Sequence, residues 1–114
     1  MSNPLTTHVL DTASGRPAAG LNIRLERSID GRFEHLGEGT TNTDGRLASP
    51  LLEETDWAAG VYRIRFETGA YFEARGEACF YPHVEVVFSV TEPEPHHHVP
   101  LLLSPYGYST YRGS

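Results

Sequence analysis

Eleven glycines and eight prolines interrupt this chain of 114 residues at short intervals. Glycine lowers helix stability and proline breaks helices, so this distribution leaves little room for long helical segments. Between these residues, the apolar positions follow a period of two more often than a period of 3.6. The sequence therefore predicts a mostly β protein, built from short strands that tight turns connect.

Four segments have the apolar patterns of β-strands. Apolar and polar residues alternate over 21–26 and 62–67, as they do in strands with one buried face. Denser apolar runs at 84–90 and 99–103 suit central strands, or an apolar surface that meets a partner chain. We expect all four segments to form strands.

Turn-forming sequences divide the chain into about eight segments. They lie at 14–17, 30–31, 44–45 and 104–107. One short helix is expected between Thr68, as its N-cap, and Gly76, just past its end. Because a lone sheet would leave an apolar face in water, we predict a sandwich of two sheets that forms a single domain over residues 1–114.

Charge and cysteine content exclude several classes of function. Nine basic residues, all of them arginine, stand against 15 acidic ones and give a net charge of −6. The chain therefore lacks both the positive charge of nucleic-acid binders and a lysine for Schiff-base chemistry. Cys79 is the only cysteine, which excludes an intrachain disulfide and a cysteine-based zinc site. With no leader peptide or membrane span in the sequence, we expect a cytoplasmic protein without membrane or nucleic-acid partners.

Three consecutive histidines at 96–98 are the most unusual local feature. In an extended strand, His96 and His98 project from one face and His97 projects from the other. Neighbouring imidazoles disfavour each other's protonation, which lowers a pKa and leaves a neutral ring that can accept a proton near pH 7. The cluster is therefore a candidate general base, and a solvated polar stretch at the start of a strand is the alternative.

Three further places offer polar chemistry. His8 shares a strand face with Thr6 and Leu10, and that face points either into a cleft or to solvent. Arg46 follows an Asp-Gly turn and can present a planar, charged donor fork to an anionic or carbonyl-rich ligand. The C-terminal stretch 106–114 combines three tyrosines with an arginine, which favours a docked edge strand or a tail that enters a site.

Metal and nucleophile chemistry are weaker possibilities. A His-x-His pair and a distant third histidine permit a three-histidine zinc site, but the spacing does not require one. The Gly-x-Ser-x-Gly motif is absent, and the apolar neighbours of Cys79 are typical of a buried, inert thiol. We therefore expect neither serine nor cysteine nucleophile chemistry.

Four short motifs, spread from the start to the end of the chain, occur together in one known family. They are THVLD at 7–11, NTDGR at 42–46, HHHVPLL at 96–102 and YRGS at 111–114. With these motifs the chain resembles the transthyretin-related 5-hydroxyisourate hydrolases over essentially its whole length. The terminal YRGS separates these enzymes from the hormone-carrying transthyretins, so the resemblance is specific to the enzymes.

The resemblance implies a prealbumin-like sandwich of two four-stranded sheets with one short helix, assembled as a homotetramer, a dimer of dimers. The active sites then lie in a channel between the dimers. The catalytic positions match His8, Arg46, His98 and Ser114, and the substrate-binding positions match His96, Tyr111, Arg112 and Gly113. His97 replaces the family's usual tyrosine. Because this side chain points to the opposite strand face, we expect it to change packing or local charge more than the chemistry.

The implied reaction is the cofactor-free hydrolysis of 5-hydroxyisourate, the product of urate oxidation, to 2-oxo-4-hydroxy-4-carboxy-5-ureidoimidazoline. We expect His8 and His98 to position and deprotonate the water, with His96 supporting their tautomers. Arg46 is expected to stabilise the developing oxyanion. Ser114, held in place by Tyr111 and Arg112, is expected to hydrogen-bond the substrate ring.

Two other functions stay open at this point. One is a carrier that binds a small aromatic ligand in the channel without turnover. The other is a zinc-dependent cyclic amide hydrolase, in which His8, His96 and His98 are the metal ligands. Neither alternative changes the expected fold.

Overall fold

The structure is a computed structural model that describes residues 3–113. Within this range the chain forms eight strands, a short 3-10 helix (Glu54–Asp56) and one α-helix, α1 (Thr68–Glu73). The strands are β1 (Leu5–Asp11), β2 (Arg16–Pro17), β3 (Asn22–Ile29), β4 (Arg32–Thr40), β5 (Gly60–Phe66), β6 (Val84–Val90), β7 (His97–Ser104) and β8 (Gly107–Thr110). No helix in the described range is long and apolar enough to cross a bilayer.

The eight strands form two four-stranded sheets, which confirms the predicted fold class. The first sheet has the strand order β2-β1-β7-β8, and the second has the order β4-β3-β5-β6. In the first sheet, β1 and β7 run parallel although they lie at opposite ends of the chain. The other neighbouring strands pair antiparallel.

The core lies between the two sheets because the inward positions of their strands are apolar. Ile23 and Leu25 of β3, with Ile64 of β5, are at most 2% exposed, and Leu101 contributes from the first sheet. The polar residues between them face outward, as the alternation predicts. Burial of these side chains is worth roughly 1.5–3 kcal/mol each. This core makes the sheets a rigid support for residues on their outer faces.

The expected turns are present. Asp30 and Gly31 join β3 to β4 with φ values of 52° and 80°. Positive φ at both central residues is the signature of a two-residue hairpin turn whose twist matches the strands, and Asp-Gly is among its preferred sequences. At the end of α1, Gly76 has a φ of 71°, and the Glu77 N–H donates to the Phe72 carbonyl. Gly76 thus ends the helix as expected.

The start of α1 differs from the prediction that Thr68 is its N-cap. Glu67 occupies the N-cap position, and it makes no side-chain capping bond. Thr68 is instead the first helical residue, and its Oγ1 donates to the Tyr81 carbonyl at 3.2 Å. The hydroxyl is therefore used for a tertiary contact and does not cap the helix.

Two expectations about burial are also corrected. The apolar run at 84–90 coincides with β6, which is an edge strand and so contradicts the central-strand alternative, whereas β7 is central as predicted. The partner-surface alternative for 84–90 stays a prediction. Val84 is 1% exposed and Val87 is 57% exposed, because only one face of β6 covers the core. Cys79, expected to be buried, is partly exposed, and its Sγ donates to the Tyr81 carbonyl.

Candidate functional site

The parallel pairing of β1 with β7 assembles the candidate site. In this register Thr6 lies opposite His98, and His8 lies opposite Pro100. The alternating burial of β1 places Thr6 and His8 on its outward face, since Leu5, Thr7 and Val9 are buried. His8 and His98, both predicted site residues, therefore lie on one face of the first sheet, although about ninety positions of sequence separate them.

The hydroxyl of Thr6 joins two of the histidines. Its Oγ1 lies 2.9 Å from Nε2 of His96 and 2.8 Å from Nδ1 of His98. The two imidazole rings are stacked, with centroids 6.3 Å apart and planes inclined by 23°. This confirms that His96 and His98 share a face. The alternation of β1 predicts that Thr6 shares the face of His8, but no sequence pattern indicates its bonds to the histidines.

The surroundings of His98 favour its neutral form. Burial of the ring lowers the pKa of His98 from its ordinary value, and the positive charge of Arg46 and the neighbouring His96 and His8 lower it further. A hydrogen bond with the backbone of Thr6 acts in the opposite direction and is the smallest of these effects. A histidine with a lowered pKa is unprotonated at pH 7 and can accept a proton from water.

A short loop holds Arg46 beside β1. Asn42 accepts hydrogen bonds at its Oδ1 from the backbone N–H groups of Asp44 and Arg46, which closes the turn. Gly45 has a φ of 74°, and its carbonyl accepts from the N–H of Val9 at 2.9 Å. A Cβ at Gly45 would lie 2.4 Å from the Val9 carbonyl, so only glycine allows this close approach. The Arg46 side chain is exposed and free to meet a ligand.

The C-terminal tail docks on His98. The N–H of Gly113 donates to the His98 carbonyl at 2.7 Å, and the two residues form an isolated β-bridge. A Cβ at Gly113 would lie 2.6 Å from Cδ2 of His98, so the tail backbone lies directly against the imidazole. The tail thus ends at the histidine cluster, as a docked terminus was expected to do. Ser114, predicted to be catalytic, lies outside the described residues.

Tyr111 and Arg112 lie on a different side of the tail. With Thr110 they line a cavity of about 220 Å³ beside β6 and β7, which Phe88 and His97 also line. Both side chains are exposed in the single chain. Their assignment to substrate binding stays a prediction.

His97 faces away from the cluster, as expected. It is 5% exposed and packs edge-on against Trp57, with ring centroids 5.4 Å apart. The carbonyl of Pro95 accepts from its Nδ1 at 2.8 Å, which sets the tautomer of the ring. His97 therefore contributes to packing on the inner side of β7.

Within residues 3–113, no three His, Cys, Asp or Glu side chains are arranged to hold a metal ion. Two histidines belong neither to the 96–98 cluster nor to β1, and each lies near a carboxylate. His35 lies 3.5 Å from Glu38, and His83 lies 3.8 Å from Glu85. The described part of a single chain therefore does not arrange the three-histidine zinc site that the sequence permits.

Comparison with known proteins agrees with this arrangement. The model of the HIUase/Transthyretin family matches residues 5–113. The 5-hydroxyisourate hydrolase of Mus musculus is 50% identical over 115 residues, which cover 99% of this chain and 97% of the relative.

Solved structures include both branches of this family. The 5-hydroxyisourate hydrolase of Klebsiella pneumoniae is 37% identical with a TM-score of 0.83, and the match covers 96% of this chain and 98% of that one. Sea bream transthyretin in complex with thyroxine is 34% identical with a TM-score of 0.90, and the match covers 96% and 94% of the two chains. An enzyme and a hormone-bound protein therefore share this fold.

Proposed function

Because the chain belongs to the HIUase/Transthyretin family, we propose that it hydrolyses 5-hydroxyisourate in urate catabolism. The observation that carries this proposal is the convergence of His8, His98, Arg46 and the tail at Gly113 on one face of the first sheet. The 50% identity to a 5-hydroxyisourate hydrolase over nearly the full length supports the choice of substrate.

His98 is the proposed general base. Its lowered pKa leaves the ring neutral at pH 7, so that it can take a proton from a water molecule held with His8. The resulting hydroxide adds to a carbonyl carbon of the six-membered ring and forms a tetrahedral oxyanion. When the ring C–N bond breaks, the proton on His98 passes to the leaving nitrogen, which regenerates the base and leaves a carboxylic acid. This acid then releases its proton to solvent and becomes the carboxylate.

Arg46 is the proposed partner of the oxyanion. Its guanidinium is permanently charged, and the Asn42 turn holds its backbone beside β1. A fixed positive charge that faces the developing negative charge lowers the activation barrier, because the guanidinium does not have to reorient during the reaction. The remaining contacts to the substrate ring are assigned to His96, Tyr111, Arg112, Gly113 and Ser114.

The active assembly is proposed to be a homotetramer, a dimer of dimers, with each active site completed where the dimers meet. The outer face of β1 and β7 is open in the single chain, where His96 is exposed. The edge strands β6 and β8 also offer unpaired backbone groups, which are ready-made pairing surfaces. A reducing, cytoplasmic location is proposed because Cys79 has no second cysteine to pair with.

The proposal is tested by mixing the protein with freshly prepared 5-hydroxyisourate and following its ultraviolet absorbance. We expect decay well above the spontaneous rate, with equal rates in the presence and absence of a chelator. Binding without accelerated decay would indicate a carrier, which the similarity to a thyroxine-bound transthyretin makes the leading rival. Loss of activity with the chelator and recovery with Zn²⁺ would replace the metal-free mechanism by a zinc-dependent one.

A further inference from the structure

We infer that Thr6 is a positioning residue whose single hydroxyl links His96 to His98 and selects the tautomer in which His98 can act as a base. The inference rests on the function proposed above. Its geometric basis is the pair of hydrogen bonds at 2.9 and 2.8 Å from Thr6 Oγ1 to His96 Nε2 and His98 Nδ1.

A hydroxyl has one proton, so it donates to one imidazole and accepts from the other. Two arrangements satisfy both hydrogen bonds. In the first, Thr6 donates to Nδ1 of His98, whose proton then resides on Nε2. In the second, Nδ1–H of His98 donates to Thr6, and Thr6 donates to Nε2 of His96. Only the second arrangement leaves a free lone pair on Nε2 of His98.

The second arrangement is the one in which His98 can act as a base. Nδ1 of His98 lies 2.8 Å from Thr6 Oγ1, so the hydroxyl engages this nitrogen in either arrangement, and only Nε2 is left to take a proton from water. A base at His98 therefore needs the proton of its neutral ring on Nδ1. The Thr6 hydroxyl holds it there by accepting from Nδ1–H while it donates to Nε2 of His96.

The Nε2 edge of the His98 ring is the edge that faces the docked tail. Cδ2, the carbon bonded to Nε2, is the ring atom nearest to a Cβ built on Gly113. The Nδ1 edge is turned instead toward Thr6. Water therefore gives its proton to Nε2, and the imidazolium keeps its Nδ1–H bond to Thr6. The same Nε2 proton is later returned to the leaving nitrogen.

The charged and titratable groups around His98 set the direction of the expected pH effect. They are Arg46 from the 41–47 loop, His8 from β1 and His96 just before β7, and the tail presents Gly113. All three ionisable neighbours lower the pKa of His98. The Thr6 acceptor holds the Nδ1–H of the imidazolium more strongly than that of the neutral ring. Removing the hydroxyl should therefore lower this pKa further.

The test compares Thr6→Val, which removes the hydroxyl at nearly constant shape, with Thr6→Ser, which keeps it. Thr12→Val is the matched control, because Thr12 directly follows β1 and its hydroxyl donates to the Leu103 carbonyl, away from the histidines. We expect Thr6→Val to lower kcat about tenfold with little change in KM, since most of His98 then takes the inactive tautomer. The acid limb of the pH–rate profile of Thr6→Val should shift to lower pH. Thr6→Ser and Thr12→Val should keep the wild-type rate and profile.

A measurement without substrate keeps this inference separate from the proposed function. Long-range ¹H–¹⁵N correlation spectra of the unmodified protein should show the proton of neutral His98 on Nδ1. Thr6→Val should show a mixture of tautomers. A proton found on Nε2, or a Thr6→Val protein with an unchanged tautomer and pH profile, would overturn the inference. A protein inert toward 5-hydroxyisourate would overturn the function and leave the tautomer result standing.

Discussion

His98 shows how a single residue acquires its chemistry from its neighbours. Its sequence context supplies only one of the effects on its pKa, from His96 two residues away. Burial, Arg46, His8 and the backbone of Thr6 supply the others, and these residues lie in distant parts of the chain. The lowered pKa that suits a general base is therefore a property of the assembled face.

Replacing His98 by alanine should lower kcat at least about a hundredfold, the size expected when a general base is lost. Loss of Arg46 should have an effect of the same order, because the oxyanion loses its fixed charge. In the wild type, kcat/KM should fall as the pH drops through the pKa of His98, below its ordinary value of 6.5. Rates are measured by absorbance decay from pH 5 to 8.

His83→Ala is the control for this series, since His83 precedes β6 and lies near Glu85 of the second sheet. It should keep full activity. A folded His98→Ala protein with nearly normal turnover would contradict the assignment of the base.

At the scale of elements, a buried hydrogen bond connects α1 to β1. Tyr71 of α1 donates from its hydroxyl to Oδ2 of Asp11 at 2.9 Å. Asp11 is 2% exposed, and its Oδ1 also accepts from the N–H groups of Ala13 and Ser14. Burial and the neighbouring carboxylate raise the pKa of Tyr71 to about 12. This contact fixes the end of the strand that carries Thr6 and His8.

Replacing Tyr71 by phenylalanine should lower the free energy of unfolding by about 1–2 kcal/mol, because Asp11 then loses a buried donor. The raised pKa of Tyr71 adds stability below pH 10, the ordinary value, and this stability is lost as the pH rises toward 12. The difference in stability between wild type and variant should therefore shrink over this range.

Urea unfolding at pH 8 and above pH 10 measures the change. Tyr106→Phe is the matched control, since Tyr106 is 71% exposed and should show no effect. A Tyr71→Phe protein as stable as the wild type at pH 8 would show that the bond contributes nothing.

At the scale of the whole molecule, the tail and the subunit contacts have separate roles. The described tail touches the histidine cluster through Gly113, whereas the edge strands of the two sheets are β2, β4, β6 and β8. Removal of residues 111–114 should therefore abolish hydrolysis and leave the assembly intact. Sedimentation should give a mass near four times 12.6 kDa before and after the truncation.

Gly113→Ala is a companion variant that keeps every other residue of the tail. Its Cβ would lie 2.6 Å from Cδ2 of His98, so the tail must move away from the ring and activity should fall. If the truncated protein dissociated instead, the tail would be a structural element of the assembly.

The alternation of apolar and polar residues determined most of the strands, the two-sheet architecture and the faces of His8, His96, His97 and His98. These features were predictable because the side-chain period of a strand is local. Because these patterns are local, they gave wrong predictions for β6 as a central strand and for Thr68 as a helix cap. Whether β6 lies at an edge and whether Thr68 bonds Tyr81 both depend on neighbours in space.

Only the tertiary structure decided how the site is assembled. The parallel register of β1 and β7 joins Thr6 to histidines that lie about ninety positions away in the sequence, and the tail folds back onto His98 through one backbone bond. No short-range pattern encodes which distant strands pair or in which register, since that choice depends on the packing of the whole sandwich. The residue types of the site were therefore visible in the sequence, whereas the pKa of His98 and its link to Thr6 required the fold.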